Sequence, residues 1–404
     1  RLFWGGRALD QVRATRGRPY RIADTRADEL AAILFTTGST GPAKGVRYTH
    51  GVFDAQVRAI RAQFGITAGE IDLPTFPLFA LFDPALGMTA VIPDMDPTQP
   101  ARVNPHKIVE AIVNQGVTNM FASPALLDRV GRHGKALGLK LPTLKRVISA
   151  GAPAAPANIE RFAAMLTGQA QIHTGYGATE AMPVSAFGSD AILAETRRLS
   201  EKGYGMCVGP PVAGVDVRII TIDDEPIEQW ADALELPRGE IGEIVVRGDQ
   251  VTRGYFERTD ADALSKIVDG DRFWHRMGDL GWLDKKGRIW FCGRKSHRVV
   301  TAQTTFYTIP CEAIFNNHRR VLRSALVGVG PQASQRPVIC IELEPGDRGK
   351  DKDRLEAELL ALARESPITS AIETVLFHRA FPVDVRHNSK IFRERLAAWA
   401  TKRL

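Results

Sequence analysis

The chain has 404 residues, of which 44% are hydrophobic and 25% are charged, and its formal net charge is +7. This composition is typical of globular proteins, and the length is enough for two or three domains. The basic excess is spread along the chain without a clustered stripe, so nucleic-acid binding is not indicated, and no run of 18 apolar residues predicts a transmembrane helix.

Residues 1–29 are polar and arginine-rich, and they predict no clear element. Residues 30–35 form a short apolar run that predicts a buried strand. Lys44 and Gly45 close a loop in which six hydroxyl or glycine residues follow one another, namely Thr36, Thr37, Gly38, Ser39, Thr40 and Gly41. Hydroxyls, glycine N–H groups and a lysine are groups that bind phosphate. The spacing is not that of a Walker A loop. An ordinary turn is the alternative, but the density of these residues favours a phosphate site.

The next two stretches differ in character. Residues 50–64 alternate apolar and polar side chains at helical spacing and predict a helix that ends at Gly65. Residues 76–82 are apolar and aromatic. They predict either plain core or the wall of a substrate pocket, with Phe76, Phe79 and Phe82 as candidates.

Alternating helices and strands follow. The predicted helices are 105–115, 124–137 and 156–166, and the predicted strands are 117–122, 144–149 and 171–174. This alternation indicates a parallel sheet covered by helices. Ligands of open α/β sheets bind at the carboxyl ends of the strands. The loops 36–41, 149–153 and 174–180 are therefore expected to meet at one nucleotide.

The pattern changes near Gly203. Short β-branched strands at 216–220, 241–247 and 288–291 predict a small β subdomain, and 293–296 is a plausible linker. A helix near 311–317, strands at 324–329 and 338–344, a helix at 354–365 and a strand at 374–378 predict a compact α+β domain.

The four cysteines, at 207, 292, 311 and 340, have no metal-ligand spacing. Cys292 and Cys340 lie in apolar runs and are predicted to be buried thiols. This usage weakly favours a reducing, cytoplasmic location. The amino terminus has neither an initiator Met nor a signal-peptide pattern, so we expect the chain to begin within a longer protein.

Three short motifs carry further candidate chemistry. Tyr176, Gly177, Thr179 and Glu180 lie in the sequence YGATE, where the tyrosine can stack on a base and the glutamate can bind Mg²⁺. Taken alone, such a glutamate is more often a helix-start carboxylate. Asp279 lies in a glycine-flanked turn and is either a turn former or a ligand of ribose hydroxyls. Lys390, by composition alone, is a solvated surface charge.

In their order, these motifs resemble one family. The sequences are LFTTGSTGPAKGV, YGATE, GEIVVRGDQVTRGYF, RMGDLGWLDKKGRIWFCGR and NSKI. They are similar to the adenylate-forming superfamily of acyl-CoA synthetases, luciferases and peptide-synthetase adenylation domains, from about residue 30 to residue 395. The resemblance implies an α/β fold whose large amino-terminal domain has mixed and parallel sheets and lacks its first part. It also implies a small β subdomain and a mobile α+β carboxyl-terminal domain. The expected divisions are 1–202 (ATP-binding), 203–293 (β subdomain), 294–296 (hinge) and 297–404 (lid).

The resemblance also implies roles by position, with ATP and Mg²⁺ as cofactors. The 36–45 loop, including Lys44, would hold the β- and γ-phosphates. Gly151, Ala152, Pro153 and Tyr176 would frame the adenine. Thr179 would contact the α-phosphate, Glu180 the Mg²⁺, and Asp279 and Arg294 the ribose. Lys390 would reach the α-phosphate and the carboxylate from the mobile domain.

Three departures concern the use of coenzyme A. Ala80 stands where thioester-forming members often have histidine, and Ser296 stands where they usually have aspartate or lysine at the hinge. Residues 300–308 contain none of the glycines that open the pantetheine tunnel in those enzymes. The adenylation motifs are intact, so these departures place the second half-reaction in question and suggest another nucleophile.

Over the whole sequence, including 74–87, the chain is most similar to the olefin-pathway β-lactone synthetases. That resemblance implies adenylation of a long-chain 2-alkyl-3-hydroxy fatty acid, after which its own hydroxyl closes a β-lactone. It implies a long apolar pocket and allows assembly with other olefin-pathway enzymes. A long-chain acyl-CoA ligase or acyl-AMP ligase is the first alternative, and a nucleotide-binding module without catalysis is the second.

Overall fold

The computed structural model describes residues 8–14, 17, 21–36, 43–77, 79–347, 351–384 and 390–404. A six-stranded sheet, here called the mixed sheet, lies at its centre. In spatial order its strands are Thr89–Ala90, Ile71–Pro74, Asn119–Ala122, Arg146–Ser149, Gln171–Ala178 and Ala181–Gly188. The first five are parallel, and the last is antiparallel to its neighbour. This arrangement confirms the α/β fold predicted from the alternating units.

Helices that flank the mixed sheet begin and end at residues that mark these positions in the sequence. They are His50–Phe64, Asp83–Leu86, Pro105–Gln115, Pro124–Leu137 and Pro156–Ala163. Asn104 and Ser123 cap two of them by accepting a backbone hydrogen bond, and each precedes a proline. Gly65 and Gly116 end two helices in the left-handed conformation. Each side-chain cap contributes about 1 kcal/mol to stability.

The main core lies between this sheet and its helices. Leu126, Val147 and Phe162 are completely buried there. Full burial of such a side chain contributes roughly 1.5–3 kcal/mol. This core holds the sheet rigid, so that the loops at its carboxyl edge are presented from a fixed frame.

The strand Leu30–Phe35 lies outside the mixed sheet. It pairs antiparallel with Gly45–Thr49, and we call this pair the amino-terminal hairpin. The prediction of a buried strand at 30–35 is wrong in its burial, because Leu30 is 46% exposed and Phe35 is 69% exposed. An apolar run predicts a strand, but it does not reveal whether one or two faces are covered by other layers.

A second sheet, the antiparallel sheet, follows in the chain. Its strands in spatial order are Asp216–Ile220, Gly242–Arg247, Arg272–Leu283, Ile289–Arg294 and Met206–Gly209, with Lys266–Asp269 paired to the third. The strand predicted at 288–291 runs three residues further. Arg294 therefore ends a strand, and the predicted linker at 293–296 is partly strand.

The carboxyl-terminal part has its own sheet and helices. The strands are Val321–Val329, Arg336–Leu343 and Val375–Phe377, and the helices are Thr308–Asn316, Lys352–Arg364 and Arg393–Thr401. The third strand is parallel to the second, and the first two are antiparallel. The elements match the predicted α+β pattern, with the first helix beginning three residues earlier than predicted.

A tight contact joins this part to the rest of the chain. A Cβ atom placed on Gly203, whose φ is +84°, would lie 2.3 Å from Ile368 Cδ1 and 2.9 Å from the carbonyl oxygen of Pro310. Nearby, Asn317 Nδ2 donates to the Glu201 carbonyl at 2.8 Å. We call this contact the Gly203 seam. Only glycine accommodates both the positive φ at position 203 and the close approach of Ile368 and Pro310.

The remaining elements are short. They are the helices Leu9–Arg13, Ser189–Ala191, Arg197–Glu201 and Thr259–Ser265, the π-helix Ile192–Thr196, the 3₁₀ turns Phe79–Leu81, Pro100–Arg102, Asp232–Leu234, Lys295–His297 and Pro345–Asp347, and the strand pair Val299–Val300 and Thr305–Phe306. All four cysteines are buried and free of disulfide bonds, as predicted for Cys292 and Cys340. None of the helices in the described ranges has the length and apolarity needed to cross a membrane.

Candidate active site

One cavity of about 810 Å³ contains most of the predicted site residues. It lies where the mixed sheet, the antiparallel sheet and the carboxyl-terminal part meet. Its polar end is lined by Thr36, Lys44, Gly151, Tyr176, Gly177, Thr179, Glu180, Arg294 and Lys390. Residues separated by up to 354 positions in the sequence, from Thr36 to Lys390, therefore face one space.

Thr179 and Glu180 lie at the turn of a β-hairpin. The prediction of a loop at 174–180 is wrong, because the strand Gln171–Ala178 continues through that stretch and then reverses into Ala181–Gly188. A Cβ atom on Gly177 would lie 2.7 Å from the Ala181 carbonyl oxygen, so the turn requires glycine there. The hairpin carries the two side chains beyond the edge of the sheet and into the cavity.

Three hydrogen bonds from two other segments hold this turn. Tyr48 of the amino-terminal hairpin donates its hydroxyl to the Thr179 carbonyl. The backbone N–H of Thr252 donates to the Glu180 carbonyl at 2.8 Å. Tyr255 donates its hydroxyl to Glu180 Oε1 at 2.8 Å. Sequence reasoning did not assign these partners, although Thr252 and Tyr255 lie in the motif VTRGYF.

The amino-terminal hairpin also positions Lys44. The Thr36 N–H donates to the Lys44 carbonyl at 2.9 Å, which fixes the base of the loop. Lys44 Nζ lies 5.0 Å from the centre of the Tyr255 ring, within the range of a cation–π contact. The loop and Glu180 thus share Tyr255 as a neighbour. The other predicted phosphate-binding residues, Thr37, Gly38, Ser39, Thr40 and Gly41, lie outside the described residues.

Asp279 forms a buried polar group with two other predicted residues. Tyr176 donates its hydroxyl to Asp279 Oδ2 at 2.9 Å, and Arg294 Nη1 lies 3.0 Å from Oδ1. The approach of Arg294 is an ion pair without the alignment of a hydrogen bond, so Oδ1 lacks a hydrogen-bond donor within the described part of the chain. Burial raises the pKa of the Tyr176 hydroxyl well above its ordinary value and keeps it a donor. Asp279 itself is not among the residues that line the cavity, so its contact with the ribose stays a prediction.

Lys390 enters the cavity from the carboxyl-terminal part. Its carbonyl accepts a 2.8 Å hydrogen bond from the Asp384 N–H, and Val383 bridges to Ile391 beside it. Burial and the positive charge of Arg294 lower the pKa of Lys390, while Asp279 and Glu180 act in the opposite direction. Lys390 is partly buried and lines the cavity together with Thr179, Glu180 and Arg294, so it is not a fully solvated surface charge.

The predicted adenine-binding stretch is only partly present at the cavity. Gly151 lines it, with φ of +93°. Ala152 and Pro153 are not among the lining residues. The chain turns away after Gly151 and reaches the helix Pro156–Ala163. That Ala152 and Pro153 frame the adenine therefore stays a prediction.

The other end of the cavity is apolar. Phe76, Phe79 and Phe82 line it as predicted, whereas Ala80 does not. The Phe79 ring stacks on Phe121 with 3.8 Å between centroids. Ala80 lies in the 3₁₀ turn Phe79–Leu81, whose period of three residues puts Phe79 and Phe82 on one side and Ala80 on another. Sequence reasoning missed a further apolar set because its members come from several separate segments of the chain: Ile60, Phe64, Ile66, Leu86, Met88, Phe121 and Ile148.

The polar end of the cavity combines cations, hydroxyls and the carboxylate of Glu180, next to an apolar pocket. Lys44, Arg294 and Lys390 can neutralise phosphate charge. Glu180 can supply one oxygen to a divalent cation, since its Oε2 accepts no hydrogen bond from the described residues. Within the described ranges no three His, Cys, Asp or Glu side chains cluster as metal ligands. A cation here would need phosphate oxygens to complete its coordination, which suits Mg²⁺.

Comparisons with known proteins agree with this arrangement. The family described as AMP-binding enzyme matches residues 6–256. An olefin beta-lactone synthetase of Xanthomonas campestris is 48% identical over 408 residues, covering 100% of this chain and 72% of that protein. One from Stenotrophomonas maltophilia is 47% identical over 411 residues, covering 100% of this chain and 73% of that protein.

Solved structures share the fold. The amide bond synthetase McbA from Marinactinospora thermotolerans superposes with a TM-score of 0.74 at 25% identity, covering 92% of this chain and 69% of that chain. The O-succinylbenzoate coenzyme A synthetase of Bacillus subtilis, in complex with ATP and magnesium ion, gives a TM-score of 0.74 at 21% identity, covering 96% and 74%.

Proposed function

This chain belongs to the AMP-binding enzyme family and, within it, to the olefin β-lactone synthetases, and from this premise we propose how its site works. It is an AMP-forming synthetase. It adenylates a long-chain 2-alkyl-3-hydroxy fatty acid with ATP, and the 3-hydroxyl then attacks the acyl carbon. The products are a β-lactone, AMP and pyrophosphate.

In the first step a carboxylate oxygen of the acid attacks the α-phosphorus, and the bond to pyrophosphate breaks. Lys44 and the 36–45 loop hold the β- and γ-phosphates, and Thr179 and Lys390 contact the α-phosphate. Asp279 Oδ1, which lacks a donor from the described residues, accepts from a ribose hydroxyl beside Arg294. Gly151 and Tyr176 border the adenine. These residues align and neutralise charged groups, which is the main contribution of a protein to phosphoryl chemistry.

Mg²⁺ bound to Glu180 and the phosphates would neutralise the charge that develops on pyrophosphate as it leaves. Glu180 is held for this task by Tyr255 and by the Thr252 N–H. We therefore infer ATP and Mg²⁺ as the cofactors, with Glu180 as the metal-binding residue.

In the second step the 3-hydroxyl oxygen bonds to the acyl carbon, its proton passes to solvent, and the bond from that carbon to AMP breaks. Closing a four-membered ring is uphill, and the mixed anhydride supplies the driving force. Binding both alkyl chains in the apolar end of the cavity holds hydroxyl and carbonyl together. The nucleophile is internal, so no tunnel for a thiol is needed.

The observation that carries the proposal is the position of Lys390 in the same cavity as Thr179, Glu180 and Arg294. A module that only binds nucleotide has no need of a cation delivered from a separate part of the chain. The alternative of a long-chain acyl-CoA ligase is disfavoured by Ala80, Ser296 and the absence of glycine from 300–308. An acyl-AMP ligase differs from the proposed enzyme in forming no lactone.

The test is the product formed from ATP and a 2-alkyl-3-hydroxy acid, with and without coenzyme A. We expect AMP release without coenzyme A and a lactone carbonyl band in the infrared spectrum. A thioester that forms only when coenzyme A is present would instead identify an acyl-CoA ligase. A complete lack of AMP would leave a binding module.

Replacing Thr305 by glycine is expected not to create thioester formation. Thr305 pairs with Val300 in a short antiparallel ladder, and a glycine there restores only one of the three features that differ from thioester-forming relatives. Ala80 and Ser296 still differ. The measurement is thioester yield with coenzyme A, alongside pyrophosphate release as a control for folding. Thioester formation by this single variant would show that the missing glycine was the only barrier.

The first step is expected to lose activity at alkaline pH earlier than an unperturbed lysine would dictate. Burial and Arg294 lower the pKa of Lys390. As the pH rises, Lys390 therefore loses its charge before the pH reaches about 10.4, the ordinary lysine pKa. The profile of kcat/KM for ATP reports the free enzyme and shows this limb. In Lys390→Arg the cation persists, so the limb should move to higher pH. If the alkaline limb stays at the same pH in this variant, the limb reports the titration of another group.

Two further parts of the function stay predictions. We propose a cytoplasmic location, supported by four cysteines that are all free thiols. Assembly with other olefin-pathway enzymes follows from the predicted reaction, whose substrate and product are both lipids.

A further inference from the structure

The apolar end of the cavity is closed by polar side chains that the proposed reaction does not use. Asp72, Asp83 and Asn119 all line the cavity. Each is only 2% exposed. Polar groups this deeply buried are normally hydrogen-bonded, and carboxyls are rarely buried without a partner. Polar groups beside the apolar side chains of Leu86, Met88 and Phe121 therefore indicate a specific role.

The hydrogen bonds among these residues leave two acceptors without donors. Asn119 Nδ2 donates to Asp72 Oδ1. Asn119 Oδ1 and Asp83 Oδ2 receive no hydrogen bond from any donor in the part of the chain that the structure describes. Both atoms are buried, and both belong to residues that line the cavity. A donor from a bound molecule would satisfy them, whereas a methyl group would leave them unpaired.

The two carboxyls also share a proton. Burial raises the pKa of both Asp72 and Asp83, and the charge of Asp83 raises the pKa of Asp72 further. Like charges in so confined a place favour one ionised and one neutral carboxyl. The one proton lies between the two carboxyls, so the pair offers acceptor oxygens to a ligand, and a hydroxyl group can donate to them.

Strand register places these groups far from the reacting atoms. Asp72 is aligned with Asn119, Asn119 with Arg146, and Arg146 with Gln171. Gly175, which lines the cavity near the nucleotide end, is four residues further along than Gln171. At about 3.3 Å per residue this is roughly 13 Å.

The cavity wall between the level of Asp72 and Asn119 and the level of Gly175 is apolar. Phe121 and Ile148 each lie two residues beyond the polar level on the same face of the mixed sheet, and both line the cavity together with Phe79. An alkyl chain lying along this wall would end at the carboxyl pair.

We propose that Asp72, Asp83 and Asn119 form a distal subsite for a hydroxyl group carried near the far end of one alkyl chain of the acid. The inference rests on the proposed function, because it takes the cavity as the acid-binding pocket. The subsite accepts a hydrogen bond from the ligand hydroxyl at Asp83 Oδ2 or Asn119 Oδ1. Chains that end in a methyl group at this depth are disfavoured, because they desolvate the pair without replacing its hydrogen bonds.

The test compares pairs of 2-alkyl-3-hydroxy acids that differ only in a terminal hydroxyl or a terminal methyl, across a series of chain lengths. The readout is kcat/KM from pyrophosphate release, which reports acid binding before any ring closes. At one chain length we expect the hydroxylated acid to be preferred at least about tenfold, because a site built for a hydroxyl rejects the analogue that lacks it. A preference for the methyl-ended acid at every length would overturn the proposal.

Variants separate the subsite from a purely structural role. Asp83→Asn and Asn119→Leu should abolish the preference for the hydroxylated acid, whereas Met88→Leu, at the same end of the cavity, should retain it. Retention in all three would show that these polar atoms serve the fold or hold water. Should the first two variants fail to fold, the wild-type comparison decides alone. If pyrophosphate release shows the preference but no lactone forms, the lactone assignment fails while the subsite stands.

Discussion

Replacing Lys390 by alanine is expected to lower the rate of acyl-adenylate formation by about 10²–10³-fold, the usual cost of removing one preorganised charge from a transition state. ATP binding should change little, because Lys44 and Arg294 remain to hold the phosphates and the ribose. The measurement is pyrophosphate release under saturating substrates, with nucleotide affinity determined separately by calorimetry.

The exposed lysine Lys402 provides a matched control, since Lys402→Ala removes a solvated charge from the same part of the chain. That variant should behave like the wild type. Wild-type pyrophosphate release by Lys390→Ala would remove Lys390 from the proposed mechanism. A loss of ATP binding equal to the loss of rate would mean that its charge acts in the ground state instead.

Replacing Glu180 by glutamine is expected to slow adenylation by about 10²-fold, because the substitution removes the only charge proposed to bind Mg²⁺ and weakens the neutralisation of pyrophosphate. The glutamine keeps the shape of the side chain and an oxygen for the Tyr255 hydroxyl. The effect should therefore appear in the rate and in a higher Mg²⁺ requirement, with little change in thermal stability. Both are measured by titrating Mg²⁺ at fixed ATP.

Tyr255→Phe separates the contribution of the hydrogen bond to Glu180 from that of the Glu180 charge. It removes the 2.8 Å hydrogen bond to Glu180 Oε1 while leaving the carboxylate charge in place. We expect a loss of about tenfold, corresponding to one hydrogen bond to a charged group. A Glu180→Gln enzyme with unchanged Mg²⁺ dependence would place the metal elsewhere, whatever the effect of Tyr255→Phe.

Local signals in the sequence predicted much of this fold. Asn104 and Ser123 before prolines, and Gly65 and Gly116 after apolar stretches, mark helix ends through chemistry confined to a few neighbouring residues. The order of helices and strands then gave the parallel core. The burial of 30–35 could not be predicted, because coverage depends on layers supplied by distant parts of the chain.

The candidate site was predictable only where motifs carried it. YGATE and Asp279 were identified, and the structure brings Tyr176 and Asp279 within a hydrogen bond of each other. The contacts of Tyr48 with Thr179, and of Asp72 with Asn119, join strands far apart in the sequence, and no local pattern encodes such pairs. The hairpin at 178–181 was missed because its glycine and small residues are equally typical of a loop.

The Gly203 seam is a place, remote from the reacting atoms, at which the rate of adenylation could be changed. Lys390 belongs to the carboxyl-terminal part, which packs closely against Gly203 through Ile368 and Pro310. If Lys390 acts as proposed, a molecule that inserts into the Gly203 seam and separates the two parts would withdraw Lys390 from the cavity. Adenylation would then slow, although the molecule contacts neither nucleotide nor acid. An inhibitor shaped to the seam would thus need no resemblance to ATP, and it would not have to compete with the cell's large pool of that nucleotide.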